Sequence, residues 1–270
     1  MYRALAEQTR QSMRRLLWDD TRGVFVDNRR GETMGSHVSM HANAMAILSG
    51  AATDEQAQRA AEYILDPSRG ARKTQPFFSH FLLEALHRVG RTREALAFVR
   101  ENWGTMVAAG STTTWERWSL TSQVRYGGRQ APPEELDRET MEPYPASMAH
   151  AWSASPTWFL PSRILGIRPT SPGFSRFVVE PVLAGLAEAN GGMPTPSGDI
   201  AVEMRKEKAM CQIRVTTPHD CRGELLLPAA PTRIEVDNEA VSIASLAGGS
   251  SNRLSVPLGA GTTVSVECAV

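Results

Sequence analysis

Long apolar runs are missing from this 270-residue chain. No segment approaches the roughly 20 apolar residues that a bilayer-spanning helix needs, and the first residues, from Met1 to Glu7, lack the apolar core of a secretory leader. A membrane partner is therefore not expected, and the cytoplasm is the expected location. Cysteine is scarce: Cys211, Cys221 and Cys268 are odd in number and confined to the C-terminal part. That excludes a disulfide framework and any zinc-ligand spacing. Buried free thiols are expected, with a Cys211–Cys221 hairpin bridge as the alternative. An excess of either charge is lacking as well, since 29 basic residues face 29 acidic ones. No basic field favours nucleic acid, and Arg14-Arg15 and Arg29-Arg30 are too short to make one. No serine sits in a Gly-x-Ser-x-Gly elbow. Gly127-Gly128 and Gly191-Gly192 do not join a strand to a helix, so no nucleotide loop and no cofactor are expected.

The chain does carry helical periodicity through its first half. Leu5, Ala6, Met13, Leu16 and Leu17 share one face of a helix over 2–18. A second helix runs from about Ser36 to Gly50, a natural C-terminal stop. Thr53 with Gln56 fits a capping box for a third, which Asp66-Pro67 ends. Phe77, Phe78, Phe81, Leu82, Ala85, Leu86 and Val89 form a continuous stripe on a fourth. Gly90 closes it and Thr92 caps a fifth, with Ala95, Leu96, Val99, Trp103, Met106 and Val107 inward. So short a connection makes the last two antiparallel neighbours, and the alternation of short and long connections suggests a helical toroid or solenoid.

Residues 110–118 stand apart. Glu116 lies between Trp115 and Trp118, behind a run of hydroxyls from Ser111 to Thr114. A carboxylate between indoles suits carbohydrate chemistry, where a sugar's apolar face stacks on the ring and the acid takes a proton from water. The same residues also fit two core tryptophans around a solvated acid, and spacing alone favours that. Residues 119–145, with Gly127-Gly128, Pro132-Pro133, Pro143 and Pro145, form a long irregular loop. Helix returns over 146–165, bent or interrupted at Pro156 and Pro161. His37 and His41 are spaced to share a helix face but no third ligand completes a metal site, so one of them is expected at a pocket rim. His80 and His87 are expected to be structural.

From Gly166 the composition changes to short β-rich runs punctuated by Gly and Pro, among them Phe177–Val179, Ile200–Met204, Gln212–Val215, Gly223–Leu227, Arg233–Val236 and Thr263–Val266. The expected architecture is α+β: helical hairpins over 1–166 followed by an antiparallel β-sandwich over 167–270. Every tryptophan precedes the change, which places the chemistry in the helical part.

Taken in order, several blocks resemble one family. They are Gln75-Pro76-Phe77-Phe78, Thr112-Thr113-Thr114-Trp115-Glu116, His150-Ala151-Trp152-Ser153, Leu165-Gly166-Ile167 and Pro194-Thr195-Pro196. The chain resembles the C-terminal half of bacterial α-L-rhamnosidases, glycoside hydrolase family 78. The resemblance implies an (α/α)6 six-hairpin barrel followed by a β-domain, and hydrolysis of terminal α-L-rhamnose from a glycoside with inversion. Inversion uses two carboxyl groups roughly 6.5–9.5 Å apart, one protonating the leaving oxygen and the other activating water. Carried onto this chain, Glu116 is the general base, with Arg117 favouring its charged form. Trp115 and Trp118 are walls of the sugar pocket, and His150 and Trp152 bind the sugar. The general acid belongs to the earlier half of the barrel, which this chain lacks. No family motif marks Asp137, Glu139 or Glu142 as the proton donor. A half-toroid implies self-association or a partner supplying the missing half-barrel, and weak or absent activity alone. The alternative is a non-catalytic carbohydrate-binding or scaffold remnant of the same fold. A different six-hairpin lyase or hydrolase would need a Tyr or His base.

Overall fold

The computed structural model describes residues 2–118, 147–243 and 254–269. The irregular loop expected over 119–145 and its acids Asp137, Glu139 and Glu142 lie outside these. The chain divides into two compact units, Met1–Pro156 and Thr157–Val270.

The first unit is helical. It holds α1 (Tyr2–Leu17), α2 (Met40–Ser49), α3 (Asp54–Leu65), α4 (Pro76–Arg88) and α5 (Thr92–Ala108). Two small antiparallel ribbons join α1 to α2: β1 (Trp18–Asp19) with β2 (Val24–Phe25), and β3 (Arg29–Arg30) with β4 (Thr33–Met34). α2 packs on α3 and α4, and α4 packs on α5. The local signals act as their chemistry requires. Gly50 ends α2 at φ 73°, which a Cβ would disfavour. Thr53 and Gln56 cap α3 reciprocally at 3.2 and 3.1 Å. Pro76 occupies the first turn of α4, where a missing N–H costs nothing.

Three expectations shift. α2 starts at Met40 rather than near Ser36, because Ser39 is its cap: the hydroxyl accepts the Ala42 N–H, and Asp27 Oδ1 accepts both the Ser39 N–H and its hydroxyl. Thr92 does not cap α5. Its hydroxyl lies 3.0 Å from His87 Nδ1, and Arg91 precedes the helix without a side-chain cap. The stripe on α4 is not buried throughout. Leu82, Leu83, Ala85 and Leu86 are, whereas Phe77 at the N-terminal end is 41% exposed.

Burial of a polar side chain shows how β2 is held. Asn43 is fully enclosed, accepts the Phe25 N–H at 2.9 Å and donates to the Phe25 and Ser39 carbonyls, so none of its desolvation goes uncompensated. Phe25, Ala46 and Ala51 form an apolar cluster there, with Met13, Leu17 and Trp18 against it.

Helix over 146–165 is broken into three pieces. They are a 3₁₀ turn (Ala151–Ser153), a short helix α6 (Ser155–Phe159) that carries the chain into the second unit, and a π turn (Leu160–Ile164) at Pro161, which cannot donate to an α ladder.

The second unit holds two sheets. One contains β5 (Ile167–Pro169), β6 (Arg176–Val179), β10 (Arg222–Leu226) and β13 (Ser255–Leu258) in the order β13-β10-β6-β5. The other contains β7 (Glu188–Thr195), β8 (Gly198–Glu207), β9 (Met210–Thr216), β11 (Pro231–Val236), β12 (Glu239–Ala240) and β14 (Thr263–Ala269) in the order β12-β11-β14-β9-β8-β7. Pairing is antiparallel except between β6 and β10, which run parallel. Alternate residues are buried: Val202, Met204, Ile213, Val215, Val264 and Val266 from the larger sheet, and Phe177, Val179, Leu225, Val256 and Leu258 from the smaller. Asp237 and Asn238, both at positive φ, make the tight turn between β11 and β12. Cys211, Cys221 and Cys268 are free thiols inside this unit, so the Cys211–Cys221 bridge is not formed.

Candidate active site

Residues 111–118 leave the end of α5 and lie alongside 147–150. The Glu116 N–H donates to the Ser147 carbonyl at 2.9 Å, and the His150 N–H donates to the Thr114 carbonyl at 2.8 Å. The threonine hydroxyls complete the seam: Thr114 Oγ1 donates to the His150 carbonyl at 2.9 Å, and Thr113 Oγ1 donates to the Met148 carbonyl. The hydroxyl run before Glu116 therefore fixes the segment that carries the acid.

Glu116 is half-buried. Its Oε2 accepts the Ser147 N–H at 3.1 Å. Among the described residues Oε1 has no partner, and no cation pairs with the carboxylate. Arg117, expected to support the charge, makes no ion pair with Glu116 there, and its Nη1 is buried without a hydrogen-bond partner.

The two flanking tryptophans are anchored. Trp115 is 6% exposed and donates its indole N–H to Ser111 Oγ at 2.8 Å. Trp118 donates its indole N–H to the Thr74 carbonyl at 2.6 Å, and its backbone N–H reaches Gln75 Oε1 at 3.4 Å. Its ring meets Trp103 edge-on at 4.8 Å and Phe98 at 6.1 Å, and the Lys73 ammonium lies 5.9 Å from its centroid. Trp103 is tied in turn by its indole N–H to the Ser153 carbonyl at 2.8 Å. These contacts hold the two indoles that flank Glu116 in place.

Trp152 is exposed, at 69%. Its ring packs against Phe77 at 5.0 Å between centroids, tilted by 41°, and His150 lies 6.3 Å from it. Phe77, Phe81, Phe78 and His41 continue the aromatic series along α4 and α2, ending with His41 at 4.4 Å from Phe78. Burial and, less strongly, the charge of Arg72 hold the His41 pKa below the usual imidazole value, against a smaller opposing pull from Asp27. His37 sits apart, with Nδ1 2.5 Å from Asp27 Oδ2. His150 also lines a groove of 540 Å³ between the end of α5 and residues 149–154, with Trp103, Met106, Val107 and the hydroxyls of Ser111 to Thr114.

The structure thus ties Glu116 and His150 into one hydrogen-bonded seam, anchors Trp118 beside it to Thr74 and Gln75, and sets Trp152 on the surface beside α4. Ser147, Thr74 and Gln75 were not singled out in the sequence as members of this framework. Gln75 had a signal, since it precedes a helix-opening proline; Ser147 had none.

Comparison with known proteins gives the family of the chain and the fold it shares. Residues 1–164 match the bacterial α-L-rhamnosidase six-hairpin glycosidase domain, and residues 166–242 match the bacterial α-L-rhamnosidase C-terminal domain. An α-L-rhamnosidase of Alteromonas sp. (strain LOR) is 31% identical over 154 residues, covering 55% of this chain and 15% of that protein. The crystal structure of a glycoside hydrolase family 78 rhamnosidase from Bacillus sp. GL1 superposes with a TM-score of 0.67 at 29% identity, covering 83% of this chain and 23% of that one. The α-L-rhamnosidase of Dictyoglumus thermophilum shares the fold at a TM-score of 0.70 and 16% identity, over 98% of this chain and 28% of its own. The chain therefore spans well under a third of the length of each of these relatives.

Proposed function

The chain belongs to the bacterial α-L-rhamnosidase six-hairpin glycosidase family, and from that premise we propose that it carries the water-activating half of an inverting glycosidase site. Glu116 is the general base. The observation that carries this reading is the state of its carboxylate: Oε2 is fixed by the Ser147 N–H, and Oε1 has no partner among the described residues. A general base needs a fixed orientation and a free lone pair within reach of water. His150 and Trp152 offer a polar tip and an apolar face for a rhamnosyl unit. Trp115 and Trp118 brace the acid and flank the sugar. The general acid comes from outside this chain, on hairpins that complete the toroid. The substrate class is a glycoside with terminal α-L-rhamnose.

Hydrolysis of p-nitrophenyl α-L-rhamnoside tests the reading, with Glu116→Gln as control. Release of p-nitrophenol that disappears in the variant supports the base assignment. Release that survives it discards Glu116.

A second reading has its own support. Trp152 is a large exposed ring braced by Phe77, the kind of platform that binds sugar without turnover. Rhamnose binding with no hydrolysis in either protein, lost in Trp152→Ala, favours that reading.

A further inference from the structure

The parallel pairing of β6 and β10 has an electrostatic consequence. Each strand begins with an arginine, and parallel register sets the two starts side by side: Arg222 is the Cα partner of Arg176. Like charges placed directly opposite destabilise a sheet. Elsewhere in this unit guanidinium groups find carboxylates, as in Arg168 with Glu180 at 2.5 Å, Arg205 with Glu207 at 3.2 Å and Arg233 with Glu235 at 2.5 Å. Neither Arg176 nor Arg222 has such a partner among the described residues.

Both line a dent of 370 Å³ with Ser175, His219, Asp220 and Ala260. The dent is closed by two loops that end at the strand starts, and they are tied together by the Arg222 N–H on the Ser175 carbonyl at 3.3 Å. Two guanidinium forks match the paired oxygens of a carboxylate or phosphate, and the imidazole of His219 and the hydroxyl of Ser175 add further polar groups. The volume falls in the range of roughly 300–1,000 Å³ typical of small-molecule sites. We propose that Arg176, Arg222 and His219 form a binding site for a small oxyanion, either the carboxylate of an acidic sugar or free phosphate. An anion between the two arginines supplies the ion-pair partner that neither has among the described residues. Asp220 tempers the site, its carboxylate opposing the ligand's charge. The inference is independent of the role given to Glu116.

The test is a titration of the whole chain at constant ionic strength with sodium glucuronate, sodium phosphate and glucose, followed by the His219 ring resonances. The expected result is saturable shifts with glucuronate or phosphate and none with glucose. Affinity should fall about tenfold or more in Arg176→Ala/Arg222→Ala, as loss of charge-assisted hydrogen bonds implies, and should rise in Asp220→Asn. Both variants change exposed side chains, so folding is preserved. Tighter binding of glucuronate than phosphate identifies a sugar carboxylate as the ligand, and the reverse identifies the free oxyanion. The proposal is overturned by no saturable shift with either anion, by an equal response to glucose, or by anion binding that the double arginine variant leaves unchanged.

Discussion

Ser147 and Glu116 hold each other twice: the Glu116 N–H donates to the Ser147 carbonyl at 2.9 Å, and the Ser147 N–H donates to Glu116 Oε2 at 3.1 Å. The side chain stands where a strand neighbour's carbonyl would close the pair. Among the described residues the acid is thereby oriented by backbone alone, without a cation, and one oxygen has no partner.

This geometry separates two substitutions. Glu116→Gln keeps an acceptor for the Ser147 N–H and removes the base. It should leave thermal stability within about 0.5 kcal/mol while any rhamnosidase turnover falls by about 10²–10⁴. Glu116→Ala removes the acceptor as well and should cost a further ~1 kcal/mol. Denaturant melts of both variants beside the p-nitrophenyl assay check the pair; a Gln variant as destabilised as the Ala variant would contradict the double hold.

Gly166 offers a second test. Its φ is 77°, and a Cβ there would lie 2.1 Å from the Glu180 carbonyl oxygen. Rigid backbone cannot yield that distance, so Gly166→Ala combines left-handed strain with a direct clash. A loss of at least ~3 kcal/mol is expected, read as a lowered melting temperature, with Gly90→Ala as comparison. Gly90 also has positive φ but nothing within 4 Å of the added Cβ, and should cost only about 1–2 kcal/mol.

Much of this was legible in the residues, and the limits have physical causes. Caps and stops are local chemistry, so Gly50, the Thr53–Gln56 box and the breaks at Pro67 and Pro161 could be read directly. Strand alternation exposed the β-domain for the same reason. Thr92 misled because a hydroxyl at a helix start has two possible partners, and the nearby His87 took it. The aromatic end of α4 misled because periodicity reports a shared face, not what covers it. The framework around Glu116 was only half visible. The acid and its tryptophans stand in one block, but Ser147 and Thr74 reach it through backbone groups, which every residue carries and no sequence advertises, and the side-chain oxygen of Gln75 reaches it from the distant start of α4.

The thiols give a prediction with a definite sign. Cys211 and Cys268 are cross-strand partners on β9 and β14 and are both buried. Burial first, and then the neighbouring Cys268, pushes the Cys211 thiol from 9.0 up to about 11. The folded state thus holds this proton more tightly than the unfolded chain. The associated stability is complete below the unfolded value near 9, and is lost as pH rises toward 11. Melting temperature should decline across that window, and the decline should be shallower in Cys211→Ala. The thiol reagent DTNB at pH 8 should leave the native protein unlabelled and react with all three cysteines in guanidinium.

The first helix bears on how the chain exists in solution. α1 is 16 residues long and amphipathic, yet none of its residues is buried. Its C-terminal part is engaged, with Met13 and Leu17 against Phe25 and Arg14 donating to the Ala51 carbonyl at 2.8 Å. The N-terminal part of the same stripe is open, Tyr2 being 79% and Leu5 57% exposed. A helix keeps an apolar stripe to bury it, and a large uncovered patch drives association. We propose that further hairpins of the toroid, or a second copy of this chain, cover that face. Size-exclusion chromatography of the chain alone should then show self-association or ANS binding, and Tyr2→Ser/Leu5→Ser should reduce both without lowering helix content, because neither side chain contributes to the core. A soluble monomer that binds no ANS would mean the stripe needs no cover, and the half-toroid interpretation would fall with it.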